Sequence, residues 1–365
     1  MATKEEVRAA RDAKLDELHE KLTGAVETLV SGQDWARALT FAARFRSRSF
    51  NNTLLIWVQH EAAFEAGQVP EPFPSYVAGY KQWQQLGRQV QKGQPGYMIF
   101  APVTGRFASS NPSDPSSWRR LGPREKHKVN EVVRTKMVGA RPAYVWDVSQ
   151  TAGDPIPEPP SPKLLDREAP AGLWEGLAAQ VEALGFEVLR VPDAGQIGGA
   201  DGLTDYTSRQ VSVRTDVTEA NQVATLVHEL AHVLMHDPAD QEARQHRGIR
   251  EVEAESVALM IGAAHGMDTS GYTIRYVAGW ASSVKDTEPA EVIKATGERV
   301  RRTALAILDQ RDTHQAGSGT PPGLERDTPT ARKDAPDRGM SRSSSVEPEH
   351  AELAVRVPVL AGRGL

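Results

Sequence analysis

Two histidines and a glutamate stand close together in the stretch TLVHELAHVLMH, residues 225–236. On an α-helix, residues four apart lie on one face, so His228 and His232 can direct ring nitrogens at a single ion, each about 2.0 to 2.1 Å away. Glu229 then lies beside the ion, where its carboxylate can take a proton from a water whose pKa the metal lowers to about 7. The pattern predicts a catalytic metal site, although the same spacing also occurs by chance in helices that bind no metal.

A catalytic zinc ion needs a third protein ligand and one open position. The chain contains no cysteine, so the third ligand must be His, Asp or Glu. His236 follows His228 by eight residues, roughly 12 Å along a helix, which is too far for one ion to reach both. We interpret His236 as a satisfied histidine at the helix end, where its charge would suit the helix dipole.

The stretch EVEAESVA, residues 251–258, places Glu251 and Glu255 four apart on one helical face. In gluzincin-type sites one glutamate of such a pair binds the metal, and its partner can orient a ligand histidine through a hydrogen bond. We predict Glu251 as the third ligand and Glu255 as the carboxylate behind a ligand; the reverse assignment is the alternative. Glu253 points elsewhere and is expected in solvent.

Local patterns predict the elements that position these residues. Thr218 followed by Glu219 is a typical helix start, and a strand is expected just before it, at about 209–214. A second helix is predicted at about 250–265, and a helix at 291–310 closes this half of the chain.

The N-terminal half mixes helical and strand patterns. Helices are predicted at 3–30, 34–46 and 79–86, and strands at 97–103, 128–138 and 141–153. A Ser/Pro-rich loop is expected at 108–123, and the apolar segment 51–60 fits either a helix or a strand.

The length of 365 residues predicts two domains rather than one. Residues 154–172 hold six prolines in 19 positions and are expected to form an extended linker. We therefore predict an N-terminal domain at 1–153, a C-terminal domain at 173–312 and a disordered tail at 313–365, because the tail is rich in Ser, Pro, Gly, Asp and Arg.

Positive charge is concentrated in the N-terminal half although the chain as a whole carries a net charge of −5. Residues 80–141 contain twelve Lys or Arg against three acidic residues. Such a surface can collect the phosphates of a polyanion, and interleaved aromatic rings can stack bases. We predict the following nucleic-acid contacts: Lys81, Trp83, Arg88, Lys92 and Tyr97. The alternative is that the aromatic rings are core and the charges a solvated face.

The N-terminus MATKEEVRAARDAKLDELHEKL is charged and amphipathic, without the apolar centre of a signal peptide. The sequence also lacks an apolar run of about 18 residues, which a membrane-spanning helix would require. We expect a cytoplasmic location and no membrane partner.

The pair HELAH and EVEAESVA resembles the zincin-like domain of ArdC-type antirestriction proteins and of ImmA/IrrE metallopeptidases, although the second pattern is offset by one residue from ExxA(E/N/D)xxA. The stretches SFNNTLLIWVQ, VAGYKQWQQLGRQVQKGQPGYMIFAPV and YVWDVSQTAG are similar, in the same order, to the N-terminal single-stranded-DNA-binding domain of ArdC. The resemblance covers roughly residues 10–310 and is lost in the loop 108–123 and in the tail.

This resemblance implies an α+β protein with a mixed α/β N-terminal nucleic-acid-binding domain and a C-terminal zincin-like, gluzincin-type metallopeptidase domain. It implies one Zn²⁺ per chain, with single-stranded DNA and a protein or peptide substrate as partners. In the related proteins a Tyr-rich turn closes the site, so Tyr272 or Tyr276 is a candidate donor to the oxyanion.

Three functions are compatible with these residues. The favoured hypothesis is a zinc metallopeptidase of antirestriction type that binds single-stranded DNA and hydrolyses DNA-associated proteins, with Glu229 as general base. The alternative is an antirestriction protein that shields single-stranded DNA and whose zinc site is structural or inactive. A third is an ImmA-like regulator that cleaves one repressor and uses the basic half only for docking.

Overall fold

The structure is a computed structural model of an α+β protein. The residues that it describes are 3–29, 31–160, 168–239, 249–269, 277–282, 284, 287–310, 313 and 315–324. The helices are α1 (Lys4–Glu27), α2 (Gly32–Arg44), α3 (Phe50–Glu65), α4 (Tyr80–Gln85), α5 (Leu173–Ala183), α6 (Glu219–Met235), α7 (Arg250–Ala264), α8 (Val277–Ala281) and α9 (Pro289–Leu308). Among these helices, none has the length and hydropathy of a membrane span.

Nine strands are described in three small sheets. They are β1 (Val77–Gly79), β2 (Arg88–Val90), β3 (Tyr97–Ser109), β4 (Arg119–Arg120), β5 (Val132–Asp147), β6 (Thr151–Gly153), β7 (Glu187–Val191), β8 (Gly202–Asp205) and β9 (Gln210–Arg214). The strand orders are β1-β5-β3-β4, β2-β6 and β7-β9-β8.

Helix α3 contains the segment for which the sequence left helix and strand open. Ser49 caps the helix, because its side chain accepts a hydrogen bond from a backbone N–H of the first turn. The consecutive residues Leu54, Leu55 and Ile56 are all buried, so α3 is enclosed on several sides. A helix that is apolar on several sides loses the 3.6-residue period, which is why periodicity could not identify it.

A long hairpin of β3 and β5 dominates the N-terminal half. The two strands pair antiparallel from Tyr97 opposite Val145 to Ser109 opposite Val132, with a register shift between Val103 and Thr104. The strands predicted at 128–138 and 141–153 therefore belong largely to one continuous strand, followed by β6. The inner end of the hairpin packs on α1 and α3, while its outer end carries exposed side chains on β5.

The edge of β3 that faces α3 is closed by side chains rather than by a strand. Asn52 accepts from the Phe100 N–H and donates to the Phe100 carbonyl, at 2.9 Å each. Gln59 makes the equivalent pair of contacts with Met98, at 2.9 and 3.0 Å. These amides satisfy backbone groups that an edge strand would otherwise expose.

In the C-terminal half a three-stranded sheet packs on helices α5 and α6. Strands β7 and β9 are parallel, β8 and β9 antiparallel, and α6 packs against β8, β9, α5 and α7. Helix α6 follows β9 directly, as predicted. Because β8 lies next to α6, the end of the sheet forms one wall beside the motif residues.

One hydrophobic core runs through both halves of residues 1–325, which form a single compact unit. Helix α2 packs on α7, and the Trp35 indole N–H donates to Ser256 Oγ at 2.9 Å. The proposed domain borders at 153 and 173 remain predictions. Residues 154–160 of the expected linker form no helix or strand, and 161–167 lie outside the described residues.

The expected disordered tail differs from the structure at its beginning. The Ala316 N–H donates to the Ala264 carbonyl at 2.7 Å, and the Val77 N–H donates to the Gly319 carbonyl at 2.9 Å. Residues 315–324 are thus held by backbone hydrogen bonds that their polar composition did not indicate. The rest of the tail, 325–365, lies outside the described residues.

Candidate metal centre

Helix α6 presents the motif residues on the face opposite its core. Thr218 caps the helix at the predicted position by accepting a first-turn N–H. Leu226 and Leu230 are fully buried on the inner face. On the other face, His228 Nε2 and His232 Nε2 lie 3.0 Å apart. Two nitrogens that bind one tetrahedral ion are roughly 3.3 Å apart, so the helix holds the pair near the required spacing.

Helix α7 brings Glu251 to the two histidines. Its Oε2 lies 3.5 Å from His228 Nε2, and its Oε1 lies 3.6 Å from His232 Nε2. One ligand atom from each of the three residues falls within a cluster 4.8 Å across. Two imidazoles and one carboxylate fit a divalent metal ion, and three protein ligands leave a position for water or substrate.

Glu255 supports His228 from the other side of its ring. Its Oε2 lies 3.3 Å from His228 Nδ1. An Nδ1–H that donates to Glu255 leaves the Nε2 lone pair for a metal, the role predicted for Glu255. Burial lowers the pKa of His228, but the hydrogen bonds to Glu251 and Glu255 outweigh burial and raise it to about 9. Hydrogen bonds to His228 and His232 hold the pKa of Glu251 well below its usual range.

Glu229 lies beside this cluster with its carboxylate fixed by the neighbouring sheet. The Thr204 hydroxyl on β8 donates to Glu229 Oε2 at 2.6 Å, and Glu229 is only 6% exposed. Gly202, also on β8, makes room for the side chain, because a Cβ there would stand 2.7 Å from Glu229 Oε1. His228, Glu229, His232, Glu251 and Glu255 all line one open cavity of about 900 Å³.

Behind His232 the structure contains a buried polar chain that sequence reasoning missed. His232 Nδ1 lies 2.9 Å from His236 Nδ1, and His236 Nε2 lies 3.0 Å from Glu253 Oε2. Arg299 on α9 donates through Nε to Glu253 Oε1 at 2.7 Å. The expectation that Glu253 is solvated was wrong, since it is 1% exposed. Burial lowers the pKa of His236 more than its hydrogen bond to Glu253 raises it.

A sequence signal for the burial of Glu253 did exist. Positions four and seven residues later are Val257 and Met260, both apolar and both fully buried. On a helix these positions share a face with Glu253. The pattern could have indicated a buried carboxylate, but not Arg299 as its partner, because the pair is separated by 46 residues.

Tyr206 contacts the end of the helix that carries the two histidines. The Tyr206 hydroxyl donates to the His232 carbonyl at 2.7 Å and so ties the end of α6 to the sheet. Burial raises the pKa of Tyr206 to about 12. Tyr272 and Tyr276 lie outside the described residues, so the role of Tyr272 at the oxyanion stays a prediction.

The structure contradicts two of the predicted base-stacking contacts. Trp83 is completely buried, and its indole N–H donates to the Trp146 carbonyl at 3.0 Å. Tyr97 is 2% exposed, and its hydroxyl lies 2.9 Å from His60 Nδ1. Both rings are packed inside the N-terminal half and therefore present no face to a base.

The three cations predicted to contact DNA differ in exposure and in hydrogen bonding. Lys81 and Lys92 are exposed. Arg88 is half-buried, and its guanidinium donates to Thr151 Oγ1 at 2.8 Å, to the Thr151 carbonyl at 3.0 Å and to the Asp154 carbonyl. Arg88 therefore joins β2 to β6, and its hydrogen-bonding capacity is largely used within the protein.

Most of the basic residues in the 80–141 stretch lie on or near the β3–β5 hairpin. The exposed ones are Arg106, Arg120, Arg124, Lys126, Lys128, Arg134, Lys136 and Arg141. Arg119 forms ion pairs with both Glu125 and Glu131, so two of the three acidic residues are taken up by one arginine. The other cations leave the hairpin region strongly positive.

Two family models match the chain in succession. The N-terminal domain of anti-restriction factor ArdC matches residues 11–146, and the IrrE N-terminal-like domain, a peptidase family, matches residues 181–285. An uncharacterised protein of Bacillus anthracis is 24% identical over 327 residues, which are 85% of this chain and 52% of the relative. The chain thus spans about half the length of that curated relative.

Two crystal structures of the antirestriction ArdC protein from plasmid R388 are similar to this chain. The metal-free structure has a TM-score of 0.46 at 17% identity and covers 79% of this chain and 97% of its own. The Mn(II)-bound structure has a TM-score of 0.40 at 20% identity and covers 72% and 88%. The chain thus carries a match to the ArdC N-terminal domain followed by a match to the IrrE-like peptidase domain, in agreement with the ArdC-type resemblance of its motifs.

Proposed function

We propose that the protein is a zinc metallopeptidase that binds single-stranded DNA and hydrolyses peptide bonds of DNA-associated proteins. The observation that carries this proposal is the placement of His228, His232 and Glu251 in one cavity beside Glu229. A site that only stabilised the fold would need no additional carboxylate beside the ligands. The IrrE-like domain adds support, because its family is one of peptidases.

The chain's own residues divide the chemistry among themselves. A zinc ion held by His228, His232 and Glu251 would polarise the scissile carbonyl and activate a water. Glu229 takes the proton of the attacking water on its carboxylate and later delivers it to the leaving amine. Thr204 holds one oxygen of that carboxylate in place, so the base needs little reorientation.

The DNA-binding part of the proposal rests on charge. The ArdC N-terminal match covers the basic stretch, and exposed Arg and Lys side chains crowd the β3–β5 hairpin. Cations at this density collect phosphates without reading sequence. We therefore assign the DNA contact mainly to the hairpin, with Lys81 and Lys92 as additional contacts, in place of the buried Trp83 and Tyr97.

The deciding experiment compares wild type with Glu229→Gln, and uses Glu219→Gln as a matched control. Glu219 is an exposed glutamate in the first turn of the same helix. Zinc content and cleavage of casein, of DNA-bound proteins and of the chain itself are measured with and without single-stranded DNA. We expect about one zinc per chain in all three proteins, and cleavage in wild type and Glu219→Gln only.

The outcomes separate the enzyme from a shielding protein. Cleavage by Glu229→Gln at the wild-type rate would remove Glu229 from the mechanism. Zinc in all proteins, salt-sensitive DNA binding and cleavage in none would favour the alternative, an antirestriction protein that covers single-stranded DNA and has an inactive zinc site. Cleavage without DNA binding would favour the repressor-cleaving regulator.

A further inference from the structure

The two candidate ligand histidines are supported in different ways. His228 Nδ1 contacts one carboxylate directly, Glu255, whose side chain is 27% exposed. His232 Nδ1 contacts a second imidazole, His236, which reaches the buried Glu253 and, through it, Arg299. Glu253 and His236 are each 1% exposed. The second chain of contacts crosses from α6 to α7 and α9, away from the cavity.

Only one arrangement of protons satisfies every contact in this chain when His232 binds a metal. If Nε2 of His232 supplies a lone pair, its proton is on Nδ1 and is donated to His236 Nδ1. His236 then carries its own proton on Nε2 and donates it to Glu253 Oε2. Glu253 Oε1 accepts from Arg299 Nε and also from Arg299 Nη2. Donors and acceptors alternate without conflict from Arg299 to the ligand nitrogen.

A buried Glu–Arg pair could serve only to join two helices. Such a pair would satisfy its charges without involving a ligand. Here the second oxygen of the carboxylate is used for His236, whose other nitrogen lies against a metal-ligand ring. The hydrogen bonds therefore fix both the tautomer and the orientation of His232, which a simple helix-to-helix ion pair would not do.

We infer that His236, Glu253 and Arg299 are positioning residues that hold His232 in the tautomer and orientation required to bind the metal. The inference rests on the metal site of the proposed function and deepens it. Glu253 fixes His236, Arg299 fixes the carboxylate of Glu253, and His236 transmits this constraint to the ligand. The metal affinity thus depends on residues up to three hydrogen bonds away from the ion.

The test measures zinc affinity of the full chain rather than activity. Wild type, His236→Gln and Glu253→Gln are titrated with zinc against a competing chelator, and the absorption spectrum of the cobalt(II)-loaded protein reports the ligand field. Glu298→Gln is the matched control. Glu298 precedes Arg299 on α9 and accepts from the Phe50 N–H at 2.8 Å, but it does not contact Glu253 or a ligand histidine in the described structure.

We expect zinc affinity to fall about 10- to 100-fold in Glu253→Gln and His236→Gln, the range typical for residues that orient metal ligands. The cobalt spectrum should change in the same variants, whereas Glu298→Gln should match wild type in both readouts. Melting of the metal-free proteins is followed in parallel. A purely structural role would lower the melting temperature of the metal-free protein and leave the affinity for zinc unchanged.

Arg299→Lys tests the same inference if the other variants fail to fold. It keeps the positive charge beside Glu253 but loses the planar fork, so we expect a smaller loss of zinc affinity in a folded protein. Wild-type affinity in the folded variants would overturn the inference while leaving the metal site intact. Absence of zinc binding by wild type itself would instead overturn the proposed function.

Discussion

Charged side chains occupy opposite environments in the two halves of this protein. Around the candidate metal centre, Glu229 and Glu253 are buried and linked by hydrogen bonds to neighbouring elements. Along the β3–β5 hairpin, Arg134 and Lys136 stand in solvent. Buried linked groups hold fixed positions, so a single change should have a large and specific effect. Exposed charges act as a summed field, so each should contribute little and in a salt-dependent way.

Although their charges differ, the two halves share one hydrophobic core. Trp35 on α2 is completely buried, packs against Phe50 and Trp280, and donates to Ser256 on α7. Trp35→Ala should therefore reduce the free energy of unfolding by about 3 to 5 kcal/mol. Because the core is continuous, both halves should unfold in one transition at a lower temperature, as measured by calorimetry and by loss of bound zinc.

Trp35→Phe is the control for that change. It keeps an aromatic ring in the core but removes the indole hydrogen bond, so the expected loss is about 1 kcal/mol plus that of a smaller ring. Two separate transitions in wild type, of which Trp35→Ala shifts only one, would show that the halves fold independently.

The contact between Thr204 and Glu229 tests how strictly the base must be positioned. Thr204→Val keeps the shape of the side chain but removes the donor to Glu229 Oε2. We expect peptidase activity to fall about 10- to 100-fold, since a base displaced by about 1 Å loses this much. Zinc content should not change, because Thr204 touches no predicted ligand side chain in the described structure.

Thr204→Ser restores the hydroxyl and should recover most of the activity lost in Thr204→Val. Equal activity of wild type and Thr204→Val would mean that the sheet does not position the base. Loss of zinc in Thr204→Val would mean that β8 supports the ligands themselves.

Tyr97 tests whether an aromatic ring of the N-terminal half serves the core or DNA. Tyr97→Phe leaves His60 Nδ1 without its buried hydroxyl partner, so the free energy of unfolding should fall by about 1 to 3 kcal/mol. Affinity for single-stranded DNA should not change. Tyr80→Phe is the control at a ring that is 41% exposed and should leave stability near that of wild type. A weaker DNA complex of Tyr97→Phe in a fully folded protein would contradict the assignment of Tyr97 to the core.

The cluster of candidate metal ligands was predictable because its geometry is mostly local. The spacing of His228 and His232 on one helix fixes their relation, and the downstream helix offered few carboxylates from which to choose Glu251. The pairing of Glu253 with Arg299 was not predictable, because it depends on how α7 and α9 pack. A prediction based on charge alone therefore wrongly placed Glu253 in solvent.

Two of the predicted DNA contacts, Trp83 and Tyr97, failed for a similar reason. Trp83 and Tyr97 lie among basic residues in the sequence, but the elements that cover them come from elsewhere: Trp146 on β5 and His60 on α3. Composition could show that residues 80–141 are basic. It could not show that the basic residues of the later part form an exposed hairpin while the earlier aromatic rings turn inward.

The smallest single effects are expected at the hairpin, where they identify the DNA surface most directly. Arg134 and Lys136 lie two residues apart on β5, within 4.9 and 5.2 Å of the Trp118 ring centre, so both charges stand on one face of the hairpin. Arg134→Gln and Lys136→Gln should each weaken single-stranded DNA binding only a few-fold. Each should also reduce the slope of log affinity against log salt by about 0.7.

Lys21→Gln is the matched control, because Lys21 is partly exposed on α1 and already paired with Glu17. Binding of a single-stranded oligonucleotide is measured between low and physiological salt. If the hairpin variants keep the wild-type slope and Lys81→Gln and Lys92→Gln lower it, the DNA surface lies at α4 and the turn after β2, as the sequence alone indicated. If the hairpin variants lower the slope additively, the exposed cations of the hairpin bind the DNA as a group. Exposed charges in one half of the protein then act together, whereas the buried charges of the other half act singly.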